Sequence, residues 1–198
     1  MPISDITSGS HVLIFPYPAQ GHMLSLLDLT HQLALRNVSI TILITPKNLP
    51  TLSPLLSTHP TTITTLFLPL PPQPSIPPGI ENVKDLPVNA FKAMMVALGD
   101  LYNPILHWFR NHPSPPVAII SDFFLGWTHH LAGELGIRRY TFSPSGAQLS
   151  PIYRSYVEGD PESEFIKEGF LANIASWGIV INSFTELERV YVERGTRA

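Results

Sequence analysis

HVLIFPYPAQGHMLSLLDLTHQLALRNVSITILI, residues 11–44, decides the fold. His11–Phe15 and Val38–Ile44 are short runs, rich in β-branched residues and apolar at consecutive positions. Strands covered on both faces read this way. Between them Met23–Arg36 carries Leu24, Leu27 and Leu35 at helical spacing, over a length that suits a crossover helix. The unit reads strand, helix, parallel strand.

The pattern continues outward. Further strand-like runs fall at Ile63–Leu68, Val117–Ser121, Arg138–Phe142 and Ile179–Asn182. Val88–Arg110 predicts a second helix, interrupted near Asn103-Pro104 because proline disfavours helix at the residue before it. Gly126–Leu135 predicts a third, closed by Gly136 at a helix C-terminus. Asp160-Pro161-Glu162 offers an N-cap, a first-turn proline and a first-turn acid ahead of Ile166, Phe170 and Ile174. Thr185 with Glu188 makes a capping-box pattern for a short terminal helix. Alternating strand and helix predict an α/β, Rossmann-like doubly wound parallel sheet in one domain over residues 1–198.

Composition narrows the function. Among 198 residues there is no cysteine, which excludes a disulfide framework, a thiolate nucleophile and a sulfur-bound zinc site. A net charge of -3 with only 12 Lys and Arg gives no basic footprint for nucleic acid. The opening Met1–Ser10 is polar and acidic rather than a secretory signal, and no apolar run approaches the roughly 18 residues that span a bilayer. The expectation is a soluble, cytoplasmic protein. Asn37-Val38-Ser39 matches a glycosylation sequon but reads as a polar turn. Six of the 21 prolines lie between Pro69 and Pro78, predicting a stiff surface loop that is either a connector or one wall of a pocket.

In the common strand order 3-2-1-4-5-6, ligands bind where the loops after strands one and four part. Those loops contain Pro16–His22 and Ser121-Asp122, so His22 and Asp122 should meet at the switch point although they lie far apart in sequence. A histidine at a helix start is favoured neutral, because the positive end of the dipole opposes an imidazolium, and a neutral ring can act as a base. A carboxylate beside it can hold the ring and balance the charge that forms. The competing reading has His22 and Asp122 as helix caps. Phe123, Phe124 and Trp127 either line an apolar acceptor pocket or pack the core. His129, His130 and Glu134 fit no metal-ligand spacing and read as helix surface. No G-x-S-x-G elbow, no G-x-G-x-x-G fingerprint and no P-loop occurs.

HVLIFPYPAQGHMLSLLDL at 11–29, AIISDFFLGW at 118–127 and SWGIVINSFTELE at 176–188 resemble the N-terminal, acceptor-binding domain of plant UDP-dependent glycosyltransferases, which have the GT-B fold. The closest flavour is the branch acting on flavonols and related phenolics. The resemblance implies that His22 removes a proton from an acceptor hydroxyl, that Asp122 orients that histidine, and that the oxygen attacks a UDP-sugar with inversion and without a metal or other cofactor. It further implies that Gln20, Phe123 and Phe124 surround the acceptor, and that Gly21 and Ser145, with Ser143 as the alternative, lie near the donor. Two departures stand out. The family's C-terminal, donor-binding domain has no counterpart in the sequence, and the join Ala147-Gln148 is shorter than the family's. The tail 194–198 also departs from the family's linker, so the chain reads as a truncated form.

Three functions follow as expectations. The chain is the acceptor-side half of a transferase of sugar, glucose by expectation, acting only with a C-terminal domain; or it is an inert or regulatory domain that binds acceptors or pairs with a full-length relative. A stand-alone Rossmann-type oxidoreductase is disfavoured by the missing glycine fingerprint.

Overall fold

A computed structural model describes residues 9–87, 90–145 and 159–183. Six strands, β1 (His11–Phe15), β2 (Ser39–Ile44), β3 (Ile63–Phe67), β4 (Ala118–Asp122), β5 (Arg138–Ser143) and β6 (Gly178–Ile181), form one sheet in the order β3-β2-β1-β4-β5-β6. Every pairing is parallel. This is the doubly wound order expected from the sequence, and strand bounds agree to within a residue or so.

Side-chain alternation explains why both faces are covered. Along β1, Val12 and Ile14 join one apolar cluster with Ile40, Ile42, Ile120 and Phe142, while Leu13 and Phe15 join the opposite cluster with Leu43 and Ile119. Two helices, α1 (Gln20–Ala34) and α2 (Leu49–Thr58), cover the first face. Four others, α3 (Phe91–Gly99), α4 (Tyr102–Asn111), α5 (Thr128–Leu135) and α6 (Pro161–Ile174), cover the second. The central strands are therefore sealed on both sides, as parallel sheets require.

Some expectations need correction. Helix α1 starts at Gln20, three residues before Met23, and its buried face is Met23, Leu26, Leu27, Thr30, Leu33 and Ala34; Leu24 and Leu35 are exposed. It ends in a Schellman pattern, Asn37 N–H to Ala34 O and Val38 N–H to Leu33 O, with Asn37 at φ 58°. The sequon asparagine is thus the turn residue. Helix α5 closes the same way on Gly136 at φ 66°, as its sequence suggests, but it starts at Thr128, after a separate 3-10 turn at Phe123–Leu125. The break between α3 and α4 falls at Asp100-Leu101, not at Asn103-Pro104, because Pro104 sits in the first turn of α4, where no N–H is needed. Helix α2 was not expected, since Pro50 and Pro54 interrupt its helical pattern. The capping box at Thr185 and Glu188 lies outside the described residues. Among the described residues no helix is long and apolar enough to cross a membrane.

The proline-rich segment after β3 is anchored by buried Ile76 and returns to the loop after β1, where Val83 N–H donates to Pro18 O at 2.9 Å. Asn48 Nδ2 to Glu81 O and Asn82 Nδ2 to Asn48 Oδ1 fasten the same return. Rigid backbone therefore flanks the mouth of the β1 loop.

Helix α6 presses on the turn after β4. A Cβ on Gly126 would lie 1.8 Å from the Gly169 carbonyl oxygen, so two backbones touch there. Its N-cap is Asp160, whose Oδ2 accepts from Ser163 N–H at 3.0 Å and from the Ser163 hydroxyl at 2.6 Å. These bonds hold the Asp160 carboxyl below its ordinary value of 3.8.

Two predictions follow from this packing. Gly126→Ala should lower unfolding free energy by about 3 kcal/mol or more, whereas Gly133→Ala, in open space on α5, should raise it by roughly 0.5 kcal/mol; denaturant titration reads both. Because a depressed carboxyl stabilises only while ionised, the advantage of wild type over Asp160→Ala should be full above pH 3.8 and fade as pH falls through the lower folded value, read as the difference between their thermal midpoints.

Candidate active site

Strands β1 and β4 are neighbours, yet the helices that follow them lie on opposite faces of the sheet, so the two loops diverge at the carboxyl edge and leave a crevice. His22, the third residue of α1, and Asp122, the last of β4, meet across it: Nδ1 lies 2.8 Å from Oδ2. The Asp122 side chain is 0% exposed and the His22 ring 21%. A carboxylate accepts only, so Nδ1 carries a proton, and in the neutral ring Nε2 is then the acceptor.

Asp122 has a second task. Its Oδ1 accepts from Phe124 N–H at 2.9 Å and caps the 3-10 turn. The two readings left open by the sequence, cap and histidine partner, are both satisfied, one by each oxygen. His22 is not a cap: Ala19 occupies that position, and no side chain caps α1.

Aromatic rings fix the imidazole plane. Phe124 stacks on His22 at 4.9 Å and 22°, Phe123 at 5.6 Å and 16°, and Tyr17 tilts against it at 5.5 Å. Phe123 is buried against Phe170 of α6, while Phe124 is half-buried. Burial, and secondarily the charge of Asp122, pushes the Tyr17 phenol above its ordinary value, keeping it a neutral donor to Phe91 O at 3.1 Å. Trp127 lies in the core, edge-on to Phe15.

Gln20 and Gly21 are exposed in the first turn of α1, with no atom within 4 Å of a Cβ built on Gly21. Beyond β5, Ser145 is exposed, whereas Ser143 is buried and donates its hydroxyl to Ser145 O. Ser145 is thus the better placed of the two to meet a ligand. His129 and His130 do not gather with Glu134, which instead accepts from Arg110 and from Tyr102. Among the described residues no group of three or more His, Asp or Glu could hold a metal ion.

Sequence reasoning missed what lies beneath the pair. Arg139 of β5 is 2% exposed; Nε donates to Ser121 Oγ at 3.0 Å, and NH1 to Thr141 Oγ1, to Asn173 Oδ1 at 2.7 Å and to Ser176 Oγ at 2.7 Å. NH2 reaches Asp122 O at 3.3 Å. Burial pushes the guanidinium down to about 9, against the pull of the Asp122 carboxylate. Its only sequence signal was a second arginine beside Arg138 at the start of a strand whose later residues are buried.

The parallel six-stranded sheet with its flanking helices matches the N-terminal half of a GT-B glycosyltransferase fold. No family model matches the chain. It is, however, 69% identical over 98% of its length to UDP-glycosyltransferase 89B2 of Stevia rebaudiana, covering 50% of that protein, and 50% identical over 93% of its length to flavonol 3-O-glucosyltransferase UGT89B1 of Arabidopsis thaliana, covering 47%. The crystal structure of Arabidopsis thaliana UGT89C1 complexed with UDP-L-rhamnose superposes with a TM-score of 0.84 at 38% identity, over 95% of this chain and 48% of that one. The same protein complexed with quercetin gives 0.83 at 38% identity, over 92% and 46%. The chain belongs to the plant UDP-dependent glycosyltransferase family and spans about half the length of the curated relatives it matches. The alignment with the Stevia protein runs over 233 positions, more than the 198 residues of the chain, so that relative has positions without a counterpart here. The join at Ala147-Gln148 lies outside the described residues.

Asp122→Asn should leave the turn capped, since the amide oxygen can still accept from Phe124 N–H. The amide would then donate to His22 Nδ1 and move the ring proton to Nε2. Imidazole nitrogen-15 spectra should show that exchange of tautomer in a chain that remains folded.

Proposed function

We propose that this chain is the acceptor-side half of a UDP-sugar-dependent transferase. In the proposed step His22 Nε2 takes the proton of an acceptor hydroxyl while Asp122 holds Nδ1–H and balances the imidazolium. The acceptor oxygen bonds to the anomeric carbon of the sugar, the bond from that carbon to the UDP oxygen breaks, and UDP leaves with the electron pair. Attack opposite the leaving group inverts the anomeric centre. No metal ion or other cofactor enters this scheme, and its setting is proposed to be the cytoplasm.

The observation that carries the reading is the His22–Asp122 bond at the switch point, made by a wholly buried carboxylate to a ring that stays partly open. The acceptor is proposed to be a phenol of the flavonol type, because UGT89B1 is a flavonol 3-O-glucosyltransferase and UGT89C1 has been crystallised complexed with quercetin. Gln20 and the open edge of Phe124 are the proposed acceptor contacts, with Phe123 acting behind them. Gly21 and Ser145 are proposed to meet the donor, the first through unpaired N–H groups at the start of α1. Glucose is the proposed sugar; UDP-L-rhamnose, bound by UGT89C1, is the control that discriminates. Transfer is proposed to need a C-terminal domain, because donor and acceptor must be held in one geometry.

The test is reconstitution with the C-terminal half of UDP-glycosyltransferase 89B2, UDP-glucose and quercetin, read as glucoside formed. His22→Ala should lower the rate by about a thousandfold or more, and Asp122→Asn by a smaller factor of roughly a hundred. Undiminished rates in both variants would contradict the assignment.

A further inference from the structure

We propose that Arg139 and Asn173 are positioning residues for the His22–Asp122 pair, and that through them helix α6 sets the direction of the Asp122 carboxylate. This rests on the proposed reading of His22 as the base, and it extends that reading to residues on β5 and α6 whose hydrogen bonds go to the backbone beside Asp122 rather than to its carboxylate or to His22.

The argument starts from two carbonyls. Asp122 ends β4, and Phe123 opens a 3-10 turn of only three residues. Buried carbonyls at such a junction need donors from elsewhere, since leaving one unmet costs about 1–3 kcal/mol. Asn173 Nδ2 donates to Phe123 O at 2.7 Å, and Arg139 NH2 reaches Asp122 O at 3.3 Å. Asn173 Oδ1 in turn accepts from Arg139 NH1 at 2.7 Å, so the two donors are themselves linked. Both side chains are buried, at 2% and 7% exposure. The carbonyls of Asp122 and Phe123 are thus gripped from one side by a single cluster.

The carboxylate hangs from the same backbone. Its Oδ1 is fixed to Phe124 N–H one peptide further on, leaving little freedom for Oδ2 except toward His22. The backbone contact of Gly126 with Gly169 supplies the other constraint, since α6 and the turn cannot slide past each other without opening it. Charge acts in the same direction. Among the described residues Arg139 forms no ion pair and meets only neutral oxygens, so Asp122 is the anion whose field it feels. That cation offsets part of the cost of keeping a carboxylate ionised at zero exposure.

The test uses the intact chain and needs no sugar transfer. Nitrogen-15 spectra of the His22 imidazole report which ring nitrogen carries the proton, and a downfield Nδ1–H proton reports the bond to Asp122. Asn173→Asp keeps size and the oxygen facing Arg139 while removing the donor to Phe123 O. Arg139→Lys keeps the charge and loses the fork. Each should lower the ratio of Nδ1–H to Nε2–H tautomer about fivefold, the share expected when a charge-assisted bond is misaligned. Leu52→Ala, a cavity at the buried residue of α2, should destabilise the fold and leave the His22 signature unchanged, which separates positioning from loss of stability. If Arg139→Lys does not fold, Asn173→Asp carries the test. An unchanged tautomer ratio in the folded variants overturns the positioning role and leaves the base assignment standing. A wild-type chain without the Nδ1–H signature overturns both.

Discussion

A carboxylate with no exposure to water is expensive to keep, and much of this structure is arranged around the one on Asp122. Its two oxygens have separate partners, the His22 ring and the Phe124 N–H, and its own carbonyl is met by Arg139. Removing one side of such an arrangement leaves a buried charge uncompensated, at a cost of about 3–5 kcal/mol. The histidine, the turn after β4 and the buried arginine are therefore held by one electrostatic requirement, so the site and the core next to it form a single unit.

That unit sits where the topology changes hand. Because α1 covers one face and the helices after β4 cover the other, the crevice between β1 and β4 is open at the carboxyl edge and sealed below by two apolar clusters. A base there has a dry floor and an open mouth. The stacked rings of Phe123 and Phe124 and the tilted ring of Tyr17 pack around the imidazole, and the proline-rich return, tied at Pro18, stiffens the β1 loop. The prolines stand out in the composition, and their place beside the β1 loop gives that excess a structural purpose as a rigid border.

Most of this architecture is legible in the sequence because parallel strands buried on both faces announce themselves as short, continuously apolar runs. Strand order followed from topology, and with it the meeting of His22 and Asp122. What escaped was local or three-dimensional. Pro50 and Pro54 hid α2, since a helix that carries proline loses the pattern that identifies it. The α3–α4 break was misplaced because Pro104 permits a helix to start as readily as it ends one. Arg139 and Asn173 were invisible as a pair because they lie 34 residues apart, and only the fold brings α6 and β5 together so that the two side chains meet.

The chain matches about half the length of its curated relatives, and the half described here holds the proposed base, its orienting acid and the edge on which an acceptor would lie. The most direct measurement is a crystal structure of the chain with quercetin bound. The account predicts a flavonol hydroxyl within about 2.6–3.2 Å of His22 Nε2, with Nδ1 still on Asp122. A flavonol seated away from the β1–β4 crevice, or a His22 ring turned so that Nε2 faces Asp122, would contradict it.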